Sequence, residues 1–193
     1  MRRALIAAVL PLVLVASMVG ATGAASAGTS KAAYSWHVAD DLLEQAVGSP
    51  PVAIARASNG DTVELDGTGV LNAGDKTASG GGRFVHKLPD GTVFATGTFT
   101  ANALISFQFY GCTDQLVPGM TLCGGLAKLD VTMNPSGTSL QLPATLWVDC
   151  LIGDKIPSDG APARHEGIRL NVDGLINFNK TAEHSGFTLF VPE

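Results

Sequence analysis

The chain has 193 residues, with sparse charged side chains and 23 glycines, a composition that suits a β-protein punctuated by glycine. It carries 17 acidic residues against 12 basic ones. An acidic chain repels phosphate backbones, so nucleic acid is not expected as a partner.

The first 27 residues have the three parts of a signal peptide. Arg2 and Arg3 precede an apolar run from 5 to 19, and Ala25-Ser26-Ala27 supplies a small-residue cleavage site. The run is shorter than the roughly 20 residues that cross a bilayer. We therefore expect export, cleavage before Gly28 and no membrane span in the mature chain. Loss of both arginines leaves the mature chain with a net charge near −7.

Residues 28–51 are expected to form a leader, loose over 28–37, with a short helix from Asp40 to Val47. The two acidic residues at 40 and 41 favour a helix N-terminus. Gly48-Ser49-Pro50-Pro51 then ends the helix.

From Val52 onward, apolar and polar residues alternate with the period of a strand. Asn59-Gly60 is a strong hairpin signal, and Gly80-Gly81-Gly82 is interpreted as a flexible turn before a strand. The predicted strands are 52–58, 62–71, 81–88, 93–110, 125–133, 140–152, 167–179 and 185–191.

The run from 93 to 110 is the most informative segment because its odd positions are apolar or glycine. It is either one long strand that curls round a barrel or two strands sharing a bend near Ala101. Parity predicts that Phe99, Ile105 and Phe107 are core residues, whereas Thr98 and Thr100 are exposed. A bulge near Ala101 would invert the parity beyond it, with Phe107 as the exception.

Short turns between consecutive strands predict an all-β fold: a single antiparallel β-barrel of about eight strands over residues 52–193. A β-sandwich is the alternative. The barrel is favoured because it removes exposed strand edges and accommodates the long alternating run.

The three cysteines suit an oxidising environment. Cys112 and Cys123 flank a segment that looks like a loop between two strands, which predicts a disulfide at its base. Cys150 has apolar parity and is interpreted as a buried thiol, although its pairing stays open. The chain has no CxxC pair and no close Cys/His spacing, so neither a metal nor another cofactor is expected.

No catalytic signature is present, but His86 shares its parity with Phe84 and Leu88 and should point inward. It is either a core histidine bonded to a neighbour or an acid, base or ligand contact inside a barrel mouth. Glu166, next to His165, shares its parity with Ile168 and should lie at an inner rim that raises its pKa. The alternative is that Glu166 precedes its strand and is solvated.

Three further polar residues lie near the ends of apolar strands: Gln108, Tyr110 and Asn177. Convergent polar groups of this kind orient ligands in barrels. The simpler interpretation is that each makes a hydrogen bond at a strand end.

The segments 57–65 (ASNGDTVEL), 79–86 (SGGGRFVH), 104–111 (LISFQFYG) and 165–170 (HEGIRL) resemble a family of small secreted bacterial proteins without an assigned activity. The resemblance covers about residues 52–193 and implies export and a compact domain. Gly97-Thr98-Phe99-Thr100 is similar to the strands of the barrel shared by allene oxide cyclases and dirigent proteins, which implies the same kind of barrel.

These observations favour a secreted β-barrel that binds a small apolar or amphipathic ligand, or a partner. One alternative is a cofactor-free isomerase or cyclase that uses His86 and Glu166 for proton transfer in an apolar cavity. Another is a structural interaction protein of the cell envelope without a cavity. A hollow interior would distinguish the first two hypotheses from the third.

Overall fold

A computed structural model of the chain describes residues 32–158, 166–182 and 185–193. The predicted signal peptide, the start at Gly28 and His165 lie outside these residues. Within them the chain forms one helix and eleven strands. The elements are β1 (Ala33–Val38), α1 (Asp41–Val47), β2 (Ala53–Arg56), β3 (Thr62–Asn72), β4 (Thr77–Lys87), β5 (Val93–Val117), β6 (Met120–Pro135), β7 (Leu142–Cys150), β8 (Gly167–Val172), β9 (Ile176–Phe178), β10 (Lys180–Thr181) and β11 (Thr188–Pro192).

The strands form one antiparallel sheet, which confirms the predicted all-β class. Its hydrogen bonds close a ring of six strands in the order β3, β4, β5, β6, β11 and β1. From β6 the sheet also continues through β7, β8 and β9, while β2 and β10 extend from β3. Because β8 lies near β2 and β10, strands enclose the core on this flank as well.

β1 lies in the segment that the sequence analysis treats as a loose leader, and that expectation is wrong. The strand pairs with β3 on one side and with β11 on the other. Its inward side chains, Trp36 and Val38, are fully buried. The Trp36 indole Nε1 donates a hydrogen bond to the Ser79 carbonyl at 3.2 Å. A Cβ at Gly69, the register partner of Trp36, would lie 2.7 Å from the indole, so glycine makes room for this ring.

The predicted short helix is present as α1. The Asp40 carboxylate caps it by accepting a hydrogen bond from the Leu43 N–H at 3.2 Å. Gly48 ends it in the left-handed conformation, with φ of 66°.

The long alternating run is a single strand, β5, interrupted by bulges. Its pairing with β6 skips Asn102, Ile105 and Tyr110. Phe99 is buried and Thr98 is exposed, as parity predicts. The prediction for Ile105 is wrong: as a bulge residue it is 46% exposed, and Leu104 is buried in its place.

Two successive bulges restore the original parity further along β5. Phe107 therefore points back toward the core, where it is partly buried and packs edge-on against Phe190, with ring centroids 5.0 Å apart. Thr100, before the first bulge, is exposed as predicted.

The glycine-rich segment 79–82 belongs to strand β4 and is not the flexible turn that was expected. It pairs with β3 on one side and, through Gly81 and Gly82, with β5 on the other. A Cβ at Gly81 would overlap the Phe99 carbonyl oxygen, so the close approach of these strands requires a residue without a side chain.

The predicted disulfide joins Cys112 to Cys123, and Cys150 is free and buried. The bridged cysteines are register partners on β5 and β6. Most of the segment between them is strand and not the expected loop, because β5 continues to Val117 and β6 begins at Met120. The bridge therefore fastens the end of a hairpin.

Candidate functional site

An apolar cavity of about 670 Å³ lies at one end of the strands. Strands β3 to β9 and the turn before β7 contribute its wall, and the inward parity of each strand directs apolar side chains into it. Only two of the described lining side chains carry a nitrogen or oxygen atom, those of His86 and Thr138. The lining residues are Val63, Phe84, His86, Phe94, Ala95, Met133, Pro135, Thr138, Leu140, Leu142, Leu170, Val172, Leu175, Ile176 and Phe178.

Three connections surround the mouth of this cavity: those between β4 and β5, between β6 and β7, and between β8 and β9. Phe94, Leu140 and Leu175 lie at or beside these connections. Each lines the cavity and is also more than half exposed. The cavity is therefore open to solvent through an apolar rim.

His86 points into this cavity from β4, as its parity with Phe84 predicts. Its ring makes edge-to-face contacts with two phenylalanines, with centroids 4.9 Å from Phe94 and 5.2 Å from Phe178. Its Nε2 atom is 2.8 Å from Oδ2 of Asp61. Nδ1 has no hydrogen-bond partner among the described residues.

Asp61 is a buried carboxylate, with 6% of its surface exposed, held at the turn between β2 and β3. Its N–H donates to the Asn59 side chain at 3.1 Å, and its carbonyl accepts from the Ala57 N–H at 2.9 Å. This anchored carboxylate fixes the ring of His86. In the neutral ring, donation from Nε2–H leaves Nδ1 as an acceptor, while a protonated ring forms an ion pair and makes Nδ1–H a donor.

Asp61 is not among the site residues predicted from the sequence. A hairpin of β3 and β4 pairs Val63 with His86, and Asp61 lies two residues before Val63 on the same side of that strand. Assignment of the register of this hairpin would therefore have identified Asp61 as the partner of His86.

Glu166 lies at the other end of the strands. Leu142 lines the large cavity at the start of β7, whereas Cys150, at the end of β7, is the neighbour of Glu166. Glu166 lines a smaller cavity of about 180 Å³ and accepts hydrogen bonds from the N–H groups of Leu151 and Thr188. Burial raises the pKa of its carboxyl, against the opposing effect of these two bonds. The structure does not bring Glu166 and His86 together.

The other three candidates line neither of these cavities. Gln108 and Asn177 are exposed. Tyr110 is fully buried beside the loop that follows β7, and its carbonyl accepts a hydrogen bond from the Lys155 N–H at 2.8 Å. Tyr110 is the extra residue of a bulge in β5.

A second histidine cluster, also missed from sequence, lies on the outer side of β1. His37 Nδ1 is 2.6 Å from Oδ2 of Asp40, and Nε2 is 3.1 Å from the Ser35 hydroxyl. The order of groups matches a Ser-His-Asp triad, but Ser35 is hydrogen-bonded within strands on both sides, and its amide is not free to bind an oxyanion. Because Asp40 also caps α1, we interpret the cluster as a link between helix and sheet.

In the described part of the chain, no group of three or more His, Cys, Asp or Glu side chains is arranged to hold a metal ion. No helix formed by the described residues has the length and apolarity needed to cross a bilayer.

Comparison of the chain with protein-family models, with curated proteins and with solved structures gave no match.

Proposed function

We propose that this protein is exported and binds a small apolar or amphipathic molecule in the cavity that contains His86. The observation that carries the proposal is an open cavity of about 670 Å³ whose wall is almost entirely hydrocarbon. Ligand sites of proteins have volumes of roughly 300–1,000 Å³, are mostly apolar and contain a few placed polar groups.

The driving force for such binding is the removal of apolar surface from water. Water that enters through the rim meets side chains such as Phe84, Leu142 and Ile176 and finds few hydrogen-bond partners there. A hydrocarbon ligand that displaces this water gains about 25 cal/mol for each Å² of apolar surface buried.

Export is supported by the Cys112–Cys123 disulfide, which persists in an oxidising environment, and by the signal-like sequence of residues 1–27. We expect intact-mass analysis of the secreted protein to give a chain that begins at Gly28. A secreted species that retains residues 1–27 would contradict cleavage at this site.

The placement of the titratable groups supports binding over the enzyme hypothesis in its original form. That hypothesis required His86 and Glu166 in one cavity, but the two line separate cavities at opposite ends of the strands. The hypothesis of a structural protein without a cavity is likewise less well supported than binding, because the interior is open and unfilled at this end.

Binding can be tested with an apolar fluorescent probe, N-phenyl-1-naphthylamine. Ala95 lines the cavity directly opposite His86 in the sheet register, and Thr96 is its exposed neighbour on the same strand. We expect the wild-type protein and Thr96→Trp to bind the probe, and Ala95→Trp to lose most of the affinity because its indole fills the cavity.

Thermal unfolding of both variants shows whether each is folded. The proposed function is wrong if the wild-type protein does not bind the probe, or if a folded Ala95→Trp variant binds it as tightly as Thr96→Trp does.

A further inference from the structure

We propose that the ligand of this cavity is a neutral hydrophobic molecule with one hydroxyl group, an alcohol or a phenol, whose hydroxyl binds Nδ1 of His86. The inference rests on the proposed function and specifies the chemical class of its ligand. It depends on three features of the wall: the number of available polar atoms, the hydrogen-bonding capacity of Nδ1 and the local charge.

The first feature is that Nδ1 of His86 is the one side-chain nitrogen or oxygen of the described cavity wall that has no hydrogen-bond partner. Thr138 is the other polar lining residue, but its hydroxyl donates to the Pro135 carbonyl at 3.1 Å and accepts from the Leu140 N–H at 3.2 Å. The Thr138 hydroxyl is therefore already hydrogen-bonded to backbone groups of its own turn. A ligand that fills the described cavity therefore meets almost only apolar side-chain surface apart from Nδ1 of His86.

The second feature is the bond between His86 and Asp61, which occupies Nε2 and leaves Nδ1 to the ligand. Nδ1 is an acceptor in the neutral ring and a donor in the protonated ring. A hydroxyl group both donates and accepts, so it satisfies Nδ1 in either state. A pure hydrocarbon would displace water from Nδ1 and leave this atom without a partner, which is unfavourable.

The third feature is the negative charge of Asp61, which is buried directly behind the imidazole. A ligand carboxylate at Nδ1 would bring a second negative charge into the same apolar environment, with at most one positive charge on His86 between them. No lysine or arginine lines the described cavity. The nearest one along β4, Lys87, is paired with Glu64. The wall therefore disfavours a fatty acid.

The experiment compares three ligands of similar size, namely 1-dodecanol, dodecanoate and tridecane, by displacement of the naphthylamine probe. In the wild-type protein we expect dodecanol to bind at least about tenfold more tightly than dodecanoate. In His86→Phe we expect the ratio of dodecanol to tridecane affinity to fall about fivefold to tenfold, the value of one hydrogen bond. Thr96→Val is the control, because Thr96 is exposed on β5 and does not line the cavity, and it should leave that ratio unchanged.

Asp61→Asn provides a second test that keeps the shape of the site and removes its negative charge. We expect this variant to reduce the ratio of dodecanol affinity to dodecanoate affinity several-fold. If His86→Phe fails to fold because the buried Asp61 carboxylate has lost its partner, Asp61→Asn still tests the proposed ligand class.

The outcomes separate this inference from the proposed function. Absence of probe binding by the wild-type protein overturns both. Two outcomes overturn the ligand class alone, provided that the wild-type protein binds the probe. One is that dodecanoate binds as tightly as dodecanol or more tightly. The other is that folded His86→Phe keeps the wild-type ratio of dodecanol to tridecane affinity.

Discussion

Phe99 and Thr98 are adjacent on β5 and differ almost completely in burial. Phe99 is 2% exposed and packs in the core, whereas Thr98 faces solvent. Truncation of a buried phenylalanine to alanine costs about 3–5 kcal/mol of stability. We therefore expect Phe99→Ala to lose that much free energy of unfolding in urea denaturation, and Thr98→Ala to lose about 0.5 kcal/mol or less.

Ile105→Ala is the control that tests the bulge. Because Ile105 is the extra residue of a bulge and is substantially exposed, its truncation should cost far less than that of Phe99. A loss as large as that of Phe99→Ala would show that the strand runs without the bulge and that Ile105 belongs to the core.

Glu166 links the stability of the fold to pH. Burial raises the pKa of its carboxyl in the folded state, so between the ordinary value of about 4.3 and the raised value the folded protein holds a proton that the unfolded chain has released. The stabilisation by this group is complete below the ordinary value and is lost as the pH rises through the raised value.

We expect Glu166→Gln to remove this dependence, so that the stability of the variant falls less than that of the wild-type protein as the pH rises across this interval. The measurement is urea denaturation at a series of pH values from about 4 to 7. Parallel profiles for the two proteins would contradict the assigned effect of burial.

The hairpin of β5 and β6 is fastened near its end by the disulfide, and the energetic value of the bridge can be measured. The cysteines are 11 positions apart. Restriction of the unfolded chain by a loop of this size contributes about 3 kcal/mol. The double variant Cys112→Ser/Cys123→Ser should lose this amount in urea denaturation, and reduction of the wild-type protein should produce the same loss. Unchanged stability in both cases would show that the bridge does not restrict the unfolded ensemble.

Parity identified most of the strands, but the predicted strand 167–179 is wrong: a turn divides it into β8 and β9, which pair with each other. In β6 the alternation of Leu129 and Val131 with polar residues matches their burial, and in β7 Leu146 and Val148 are buried whereas Trp147 between them is only partly buried. Parity failed at the bulges of β5. An inserted residue moves the side chains that follow it to the opposite face of the strand, and the hydrophobic pattern alone does not show where the inserted residue lies. Parity also overlooked β1, where the inward residues Trp36 and Val38 are too few to stand out from their surroundings.

The candidate site was predictable in part. His86 follows from parity, whereas Asp61 requires the register of a hairpin. The separation of His86 from Glu166 follows from topology. In consecutive antiparallel strands β4 and β8 run in the same direction, so a residue near the end of β4 and one before the start of β8 lie at opposite ends.

The closed ring depends on β1, which connects β3 to β11 and brings the fully buried Trp36 into the core. A chain that begins at Gly28 retains this strand and should unfold in one cooperative transition. A chain that begins at Asp40 lacks it and exposes the edges of two strands, which favours association with other chains. We expect the shorter chain to aggregate or to lack a cooperative transition by circular dichroism and size-exclusion chromatography. A monomer with the melting temperature of the longer chain would contradict the role of β1.

The pairing of β1 with β11 also has a consequence for the time course of folding. Tyr34 is the register partner of Pro192, so contacts that close the ring join the two extremes of the described sequence. Contacts between distant positions raise the contact order and slow folding, because the entropy of a long loop is lost before the contact stabilises it. A growing chain cannot complete the ring until its last strand has emerged from the ribosome. The ring should therefore stay open, and accessible to chaperones, until β11 has been synthesised.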